Sequence, residues 1–145
     1  MSQHVNPRIL KLMKRTVFSK NSFVALINEY GSKDVQVETF TIVGFPSETE
    51  EEFQELIEFI CEVDTPHFAN YSASFSLRYG TAACKYDNKI SEKVIMNRMK
   101  VLAERYMESS IRRFGKLPYN LQKDLYDMLC TLREHAIDYD ELYRN

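Results

Sequence analysis

The chain has 145 residues, 44% of them apolar and 28% charged, which suits one domain able to bury a real core. A formal net charge of −2 gives no reason to expect nucleic acid or an anionic membrane as partner. No stretch approaches the roughly 20 apolar residues needed to cross a bilayer. The N-terminal Met-Ser-Gln-His-Val-Asn-Pro-Arg lacks a signal peptide's apolar core, so a cytoplasmic location is expected.

In chain order, Ile9, Leu10, Leu12 and Met13 predict a short amphipathic helix after Pro7. Ser19 can cap a second helix, with Phe23, Leu26, Ile27 and Tyr30 as its apolar stripe and Gly31 at its C-cap. Residues 35–43 carry the Val, Thr, Phe and Ile of a strand that stops at Gly44 and turns through Pro46. Ser47 and Glu50 fit an S-x-x-E capping box, which opens a helix whose buried face is Phe53, Leu56, Ile57 and Ile60. Glu48, Glu50, Glu51 and Glu52 complement its dipole. A solvated helix start explains these four carboxylates better than a metal or catalytic role.

Residues 67–77 predict a second strand with unlike faces. Ala69, Tyr71, Ala73, Phe75 and Leu77 share one side; Phe68, Asn70, Ser72, Ser74 and Ser76 share the other. Small polar residues on one face fit a wet lumen or ligand cavity, and equally an edge strand with one solvated face. After Arg78-Tyr79-Gly80-Thr81 an irregular stretch reaches Asn88. A long helix follows over 91–113 with Ile95, Met99, Leu102 and Tyr106 in one stripe, ended by Gly115 and Pro118. Leu121, Leu125, Met128 and Leu132 predict a helical tail, and residues 138–143 add a last turn.

Cys61, Cys84 and Cys130 are too far apart for a disulfide framework or a metal clip. Cys61 and Cys130 read as buried thiols on helices, and Cys84 as exposed after a glycine turn. His4, His67 and His135 are scattered. No phosphate loop, HExxH, GxSxG or carboxylate dyad is present, and no catalytic residue is assigned. Lys11, Lys14, Arg15, Arg112, Arg113 and Lys116 read as solvated helix faces rather than a nucleic-acid stripe.

Two strands joined by a crossover helix make a parallel βαβ unit. Two parallel strands are few for this length. The expected fold is therefore α/β, part of a larger barrel or sheet completed by helical padding or by another chain, with few parallel strands and crossover helices over residues 7–113 and a helical C-terminal tail over 114–145.

Three segments carry a family resemblance. Ile9-Leu10-Lys11-Leu12-Met13-Lys14-Arg15 is similar to the helix before the fifth barrel strand of radical S-adenosylmethionine (radical SAM) domains. Residues 42–53, Ile-Val-Gly-Phe-Pro-Ser-Glu-Thr-Glu-Glu-Glu-Phe, resemble the family's "IVGFPGETEEDF" signature. Residues 75–81, Phe-Ser-Leu-Arg-Tyr-Gly-Thr, resemble the segment after its sixth strand. The chain thus resembles the C-terminal half of a radical SAM domain, with methylthiotransferases and cobalamin-binding-type members as the nearest look, and that resemblance implies a partial (half) TIM-type barrel. That resemblance implies S-adenosylmethionine (SAM) as cofactor, with Ile42, Val43 and Gly44 on its adenine side and Asn70, Ser72 and Ser74 as further contacts.

The departures are as informative. Radical SAM chemistry uses a 4Fe–4S cluster on a C-x-x-x-C-x-x-C loop, because thiolates hold and tune the cluster. This chain has no such loop, so no metal ligand is assigned. Ser47 stands where the family has Gly, and no proline precedes Arg78. The expected function is the adenine and substrate side of a radical SAM enzyme, from a truncated or split chain inactive alone. The rival is a non-catalytic interaction module derived from such a protein. Expected partners are a cluster-bearing half or a second copy of the chain. A tRNA or protein substrate would belong to the parent enzyme, and no membrane is expected.

Overall fold

The computed structural model describes residues 3–77, 80–86, 88–117 and 122–123. Arg78 and Tyr79, and nearly all of the tail expected over 114–145 with Cys130 and His135, lie outside the described residues. Among the described residues the order is α1 (Pro7–Leu12), α2 (Lys20–Gly31), β1 (Val37–Val43), α3 (Glu50–Glu62), β2 (Phe68–Ser74), a 3-10 turn (Ala82–Lys85) and α4 (Glu92–Phe114).

Local sequence explains where the helices begin. Asn6 caps α1, its Oδ1 accepting from the Arg8 and Ile9 amides at 2.9 and 3.2 Å, and Pro7 fills the first position that needs no donor. Ser19 and Ser91 cap α2 and α4 in the same way. The start of α3 differs from expectation. Thr49, not Ser47, is the N-cap, and it forms a reciprocal capping box with Glu52. Ser47 lies in the left-handed region at φ 68°, which no helical residue adopts.

The stripe of α2 is also turned by about one position. Ile27 is buried and Phe23 and Val24 are partly buried, but Leu26 and Tyr30 are exposed. Gly31 lies inside the helix rather than beyond it, and a Cβ there would sit 2.1 Å from Thr65 Oγ1. The absent side chain lets α2 close onto the segment entering β2.

β1 and β2 pair in parallel from Val37↔Phe68 to Val43↔Ser74, with α3 as the crossover. Phe53, Leu56, Phe59 and Ile60 of α3, with Ile27, Val43, Phe68 and Leu102, form one core. Thr39, Thr41 and Val43 are buried on β1, whereas Glu38 and Phe40 are exposed. Helices therefore cover one face of the sheet. On the other, Phe40 and Tyr71 stack with ring centroids 5.2 Å apart and remain 39% and 52% exposed.

The polar face of β2 is the covered one near its start, which corrects the expectation of a wet lumen or a solvated face there. Asn70 is buried and bridges the strands, accepting from Thr39 Oγ1 at 2.8 Å while its amide donates to Thr41 and Ser72 at 3.2 and 2.8 Å. Thr41 and Ser72 close the set at 2.8 Å. Buried polar groups are tolerated when they satisfy one another, and these four do so.

Candidate functional site

At Gly44 the chain leaves β1 with φ 85°, and a Cβ there would lie 2.5 Å from Ile95 Cγ1 of α4. Glycine is needed for backbone conformation and for this close approach. The Gly44 amide donates to Glu48 Oε2 at 3.0 Å, and Arg98 Nη1 reaches the same oxygen at 2.7 Å. His4 Nε2 lies 3.1 Å from the other carboxylate oxygen. His4 Nδ1 accepts from the Asn6 amide at 3.0 Å, so the Nε2-protonated neutral ring donates to Glu48. Both side chains of the His4–Glu48 pair are fully buried.

The acidic run is therefore split. Glu50 and Glu51 face solvent, as expected, but Glu48 and Glu52 are buried and engaged. Glu52 takes Arg8 Nε at 2.6 Å, and that bond chiefly holds its carboxyl below the ordinary glutamate range. Nothing in the sequence distinguishes these four neighbouring carboxylates. The signal lay elsewhere, in a distant arginine spaced to reach back from α4.

Above this turn, at the carboxyl ends of both strands, lies a cavity of about 570 Å³. Such a volume suits a small-molecule site. Leu12, Met13, Lys14 and Arg15 form one wall, Ile42 and Phe45 the floor, and Ala73 to Ser76 with Thr81 and Ala83 the far side. Phe45 is the centre of an aromatic cluster, edge-on to Phe75 at 5.2 Å and to Tyr86 at 5.9 Å. Gln3 joins the lining, and its backbone carbonyl accepts from the Ile42 amide at 2.8 Å.

Of the six residues singled out in sequence, Ile42 and Ser74 line this cavity. Val43 is fully buried in the core, and its carbonyl accepts from the Phe75 amide. Gly44 shapes the turn from beneath, with its amide committed to Glu48. Asn70 and Ser72 bind each other and Thr41 within the sheet, away from the cavity. Phe45, Phe75, Leu12 and Met13 went unassigned, although all four lie within or beside the motifs quoted above.

The basic clusters divide similarly. Lys14 and Arg15 are exposed at the cavity wall. Arg112 donates to the Cys61 carbonyl and Lys116 pairs with Asp64. Arg113 is buried between the rings of Phe68 and Tyr106, at 5.2 and 5.4 Å, and burial lowers its pKa. Of these three, Arg113 leaves the solvated face expected of them, while Arg112 and Lys116 remain exposed.

Among the described residues no group of three or more His, Cys, Asp or Glu side chains could hold a metal ion, and no helix is long and apolar enough to cross a membrane. Cys61 is half-buried on α3 and Cys84 exposed in the 3-10 turn. The sequence holds no C-x-x-x-C-x-x-C loop of the kind that carries a 4Fe–4S cluster.

No family model matches the chain. Curated relatives do. It is 39% identical over 106 residues to the ribosomal protein uS12 methylthiotransferase RimO of Chlamydia pneumoniae, covering 70% of this chain and 22% of that protein. The like-named protein of Methylobacillus flagellatus is 34% identical over 129 residues, 85% of this chain and 29% of the relative. A tRNA-2-methylthio-N(6)-dimethylallyladenosine synthase of Corynebacterium efficiens is 34% identical over 118 residues, 77% of this chain and 22% of the relative. The chain thus spans less than a third of the length of these relatives.

Proposed function

We propose that this chain, a homologue of one segment of the methylthiotransferases, supplies the adenine and substrate side of a SAM site in a radical SAM enzyme. One observation carries the reading. The three segments that resemble the family are far apart in sequence, yet each gives residues to the same cavity: Leu12 to Arg15, Ile42 with Phe45, and Phe75 with Ser76 and Thr81. Ligand sites of α/β folds form at the carboxyl ends of their strands, where this cavity lies. Ile42 and Ser74 would touch the ligand directly, and Gly44 would set the turn that carries Phe45. Val43, Asn70 and Ser72 would act from beneath, by holding the strands in register.

On this reading the two strands are part of a larger barrel, and the bare face with Phe40, Tyr71, Ile42 and Ala73 looks into its lumen. The four helices and two strands among the described residues cannot close a barrel. The cluster-bearing portion, with its cysteine loop, would come from another polypeptide or have been lost. SAM would be bound through this chain's cavity and cleaved only where that portion is present. A ribosomal protein or a tRNA, the substrates in the relatives' names, would be presented at the same open face.

Calorimetric titration of the chain with SAM tests the site. Binding that is lost in Ile42→Asp supports it, and no measurable binding by the unaltered chain overturns it. Formation of 5′-deoxyadenosine by the isolated chain after iron and sulfide reconstitution would overturn the division of labour. The second reading, an interaction module without a ligand, is favoured by the exposed Phe40–Tyr71 pair. It predicts no SAM binding and association through the bare face.

A further inference from the structure

We infer that Glu48 is a positioning residue that sets the shape of the cavity without touching it, and that Arg98 holds it in that role. The inference rests on the cavity being the ligand site, but its geometry stands alone. Glu48 is not among the cavity's lining residues, and its side chain is fully buried. Its carboxylate nevertheless joins two parts of the wall. Through Oε1 it holds His4, next to the lining residue Gln3; through Oε2 it holds the amide of Gly44, next to the lining residue Phe45. The Glu48 amide also donates to the Phe45 carbonyl at 2.9 Å, which closes the turn on itself.

Arg98 supplies the opposing charge from α4, on the side of the turn away from the cavity. Its Nη1 donates to the Glu48 carboxylate at 2.7 Å and faces the Glu48 carbonyl at 3.3 Å, while Nη2 takes exposed Glu50 at 3.1 Å. The guanidinium also lies 5.2 Å from the centre of the Phe53 ring. A buried carboxylate persists only when paired and hydrogen-bonded, and this one has both. Removing the charge on either side frees the Gly44 turn, and Phe45 can then swing out of its packing against Phe75 and Tyr86.

The test uses Glu48→Gln, Arg98→Met, their double variant and Arg98→Lys, with Glu51→Gln as an exposed control. Two readouts are taken. Ring-to-ring NOEs from Phe45 to Phe75 and Tyr86 are measured without ligand, and SAM affinity is measured by calorimetry. Glu48→Gln and Arg98→Met are each expected to weaken the NOEs and lower SAM affinity at least tenfold, with the control unchanged. The double variant, which leaves no unpaired charge, is expected to regain stability but neither readout. Recovery of both readouts in the double variant would reduce the pair to a merely structural role and overturn the inference. Arg98→Lys keeps the charge and serves if the others fail to fold; it is expected to retain the NOEs at least in part, and their complete loss in folded Arg98→Lys would also overturn the inference. If the unaltered chain does not bind SAM, the proposed function fails, while the NOEs still decide the role of Glu48.

Discussion

Ile95 of α4 rests directly on the backbone of Gly44, so close that a single methyl added there would overlap its Cγ1 at 2.5 Å. Gly44 also has φ 85°, a conformation that costs an ordinary residue roughly 1–2 kcal/mol. Gly44→Ala is therefore expected to destabilise the chain by more than the backbone cost alone. Adding Ile95→Ala should recover the steric part against the Ile95→Ala background, and leave about 1–2 kcal/mol unrecovered. Urea unfolding of the two singles and the double measures this. Full recovery would mean the conformation of Gly44 carries no strain.

Ser47 and Thr49 are expected to respond in opposite ways. Ser47 occupies the left-handed region at φ 68°, where glycine is at ease. Ser47→Gly should stabilise by up to about 1 kcal/mol, less whatever the Arg8 contact to Ser47 Oγ contributes. Thr49 makes the capping box, so Thr49→Ala should lose about 1 kcal/mol. Thermal melts of both variants decide, and destabilisation by Ser47→Gly would assign the hydroxyl a larger part than the backbone.

Acid should loosen the tie between α1 and α3. The Glu52 carboxyl is held below the ordinary glutamate range, first by its hydrogen bond with Arg8. A depressed folded-state pKa contributes stability that is complete above the unfolded value, about 4.3, and is lost as pH falls through the lowered folded value. Arg8 is 46% exposed, so solvent screening keeps the contribution modest. Urea midpoints taken from pH 6 down to about pH 3 should fall, and the fall should be shallower in Glu52→Gln. Parallel curves would remove Glu52 from the acid response.

Asn70 separates support from contact. Its side chain satisfies Thr39, Thr41 and Ser72 inside the sheet. Asn70→Ala leaves those hydroxyls short of partners and should lose about 1–3 kcal/mol of stability. Where the variant is folded, SAM affinity should change less than in Ile42→Asp. The reverse order, unchanged stability with lost binding, would return Asn70 to direct contact with the ligand.

The elements were legible in the sequence because their signals are local. Pro7 and Ser19 mark where α1 and α2 begin, and Val, Thr, Phe and Ile mark β1. The buried face of α3 reads directly from Phe53, Leu56, Ile57 and Ile60. The site was legible only in part, since facing is a tertiary property. Alternation along β2 grouped Asn70 and Ser72 with Ser74, but not which face the helices would cover. Hydrogen-bonded Thr39 and Thr41 on the neighbouring strand let a polar face turn inward. Likewise Ser47 and Thr49 both satisfy a capping pattern, and only the backbone at Ser47 decides between them.

Phe40 and Tyr71 test what covers the bare face. Both lie in strand register, stack at 5.2 Å and remain partly exposed to solvent. Exposed aromatic surface beside an unpaired strand edge favours pairing with another polypeptide. Tyr71→Asp removes a contact worth about 0.5–1.5 kcal/mol, so the fold should survive. Sedimentation equilibrium should show the unaltered chain associating with rising concentration and the variant remaining monomeric. Association that survives Tyr71→Asp would move the interface elsewhere. A monomeric unaltered chain would exclude the second copy and leave the cluster-bearing portion as the cover, in which case Tyr71→Asp should block its docking.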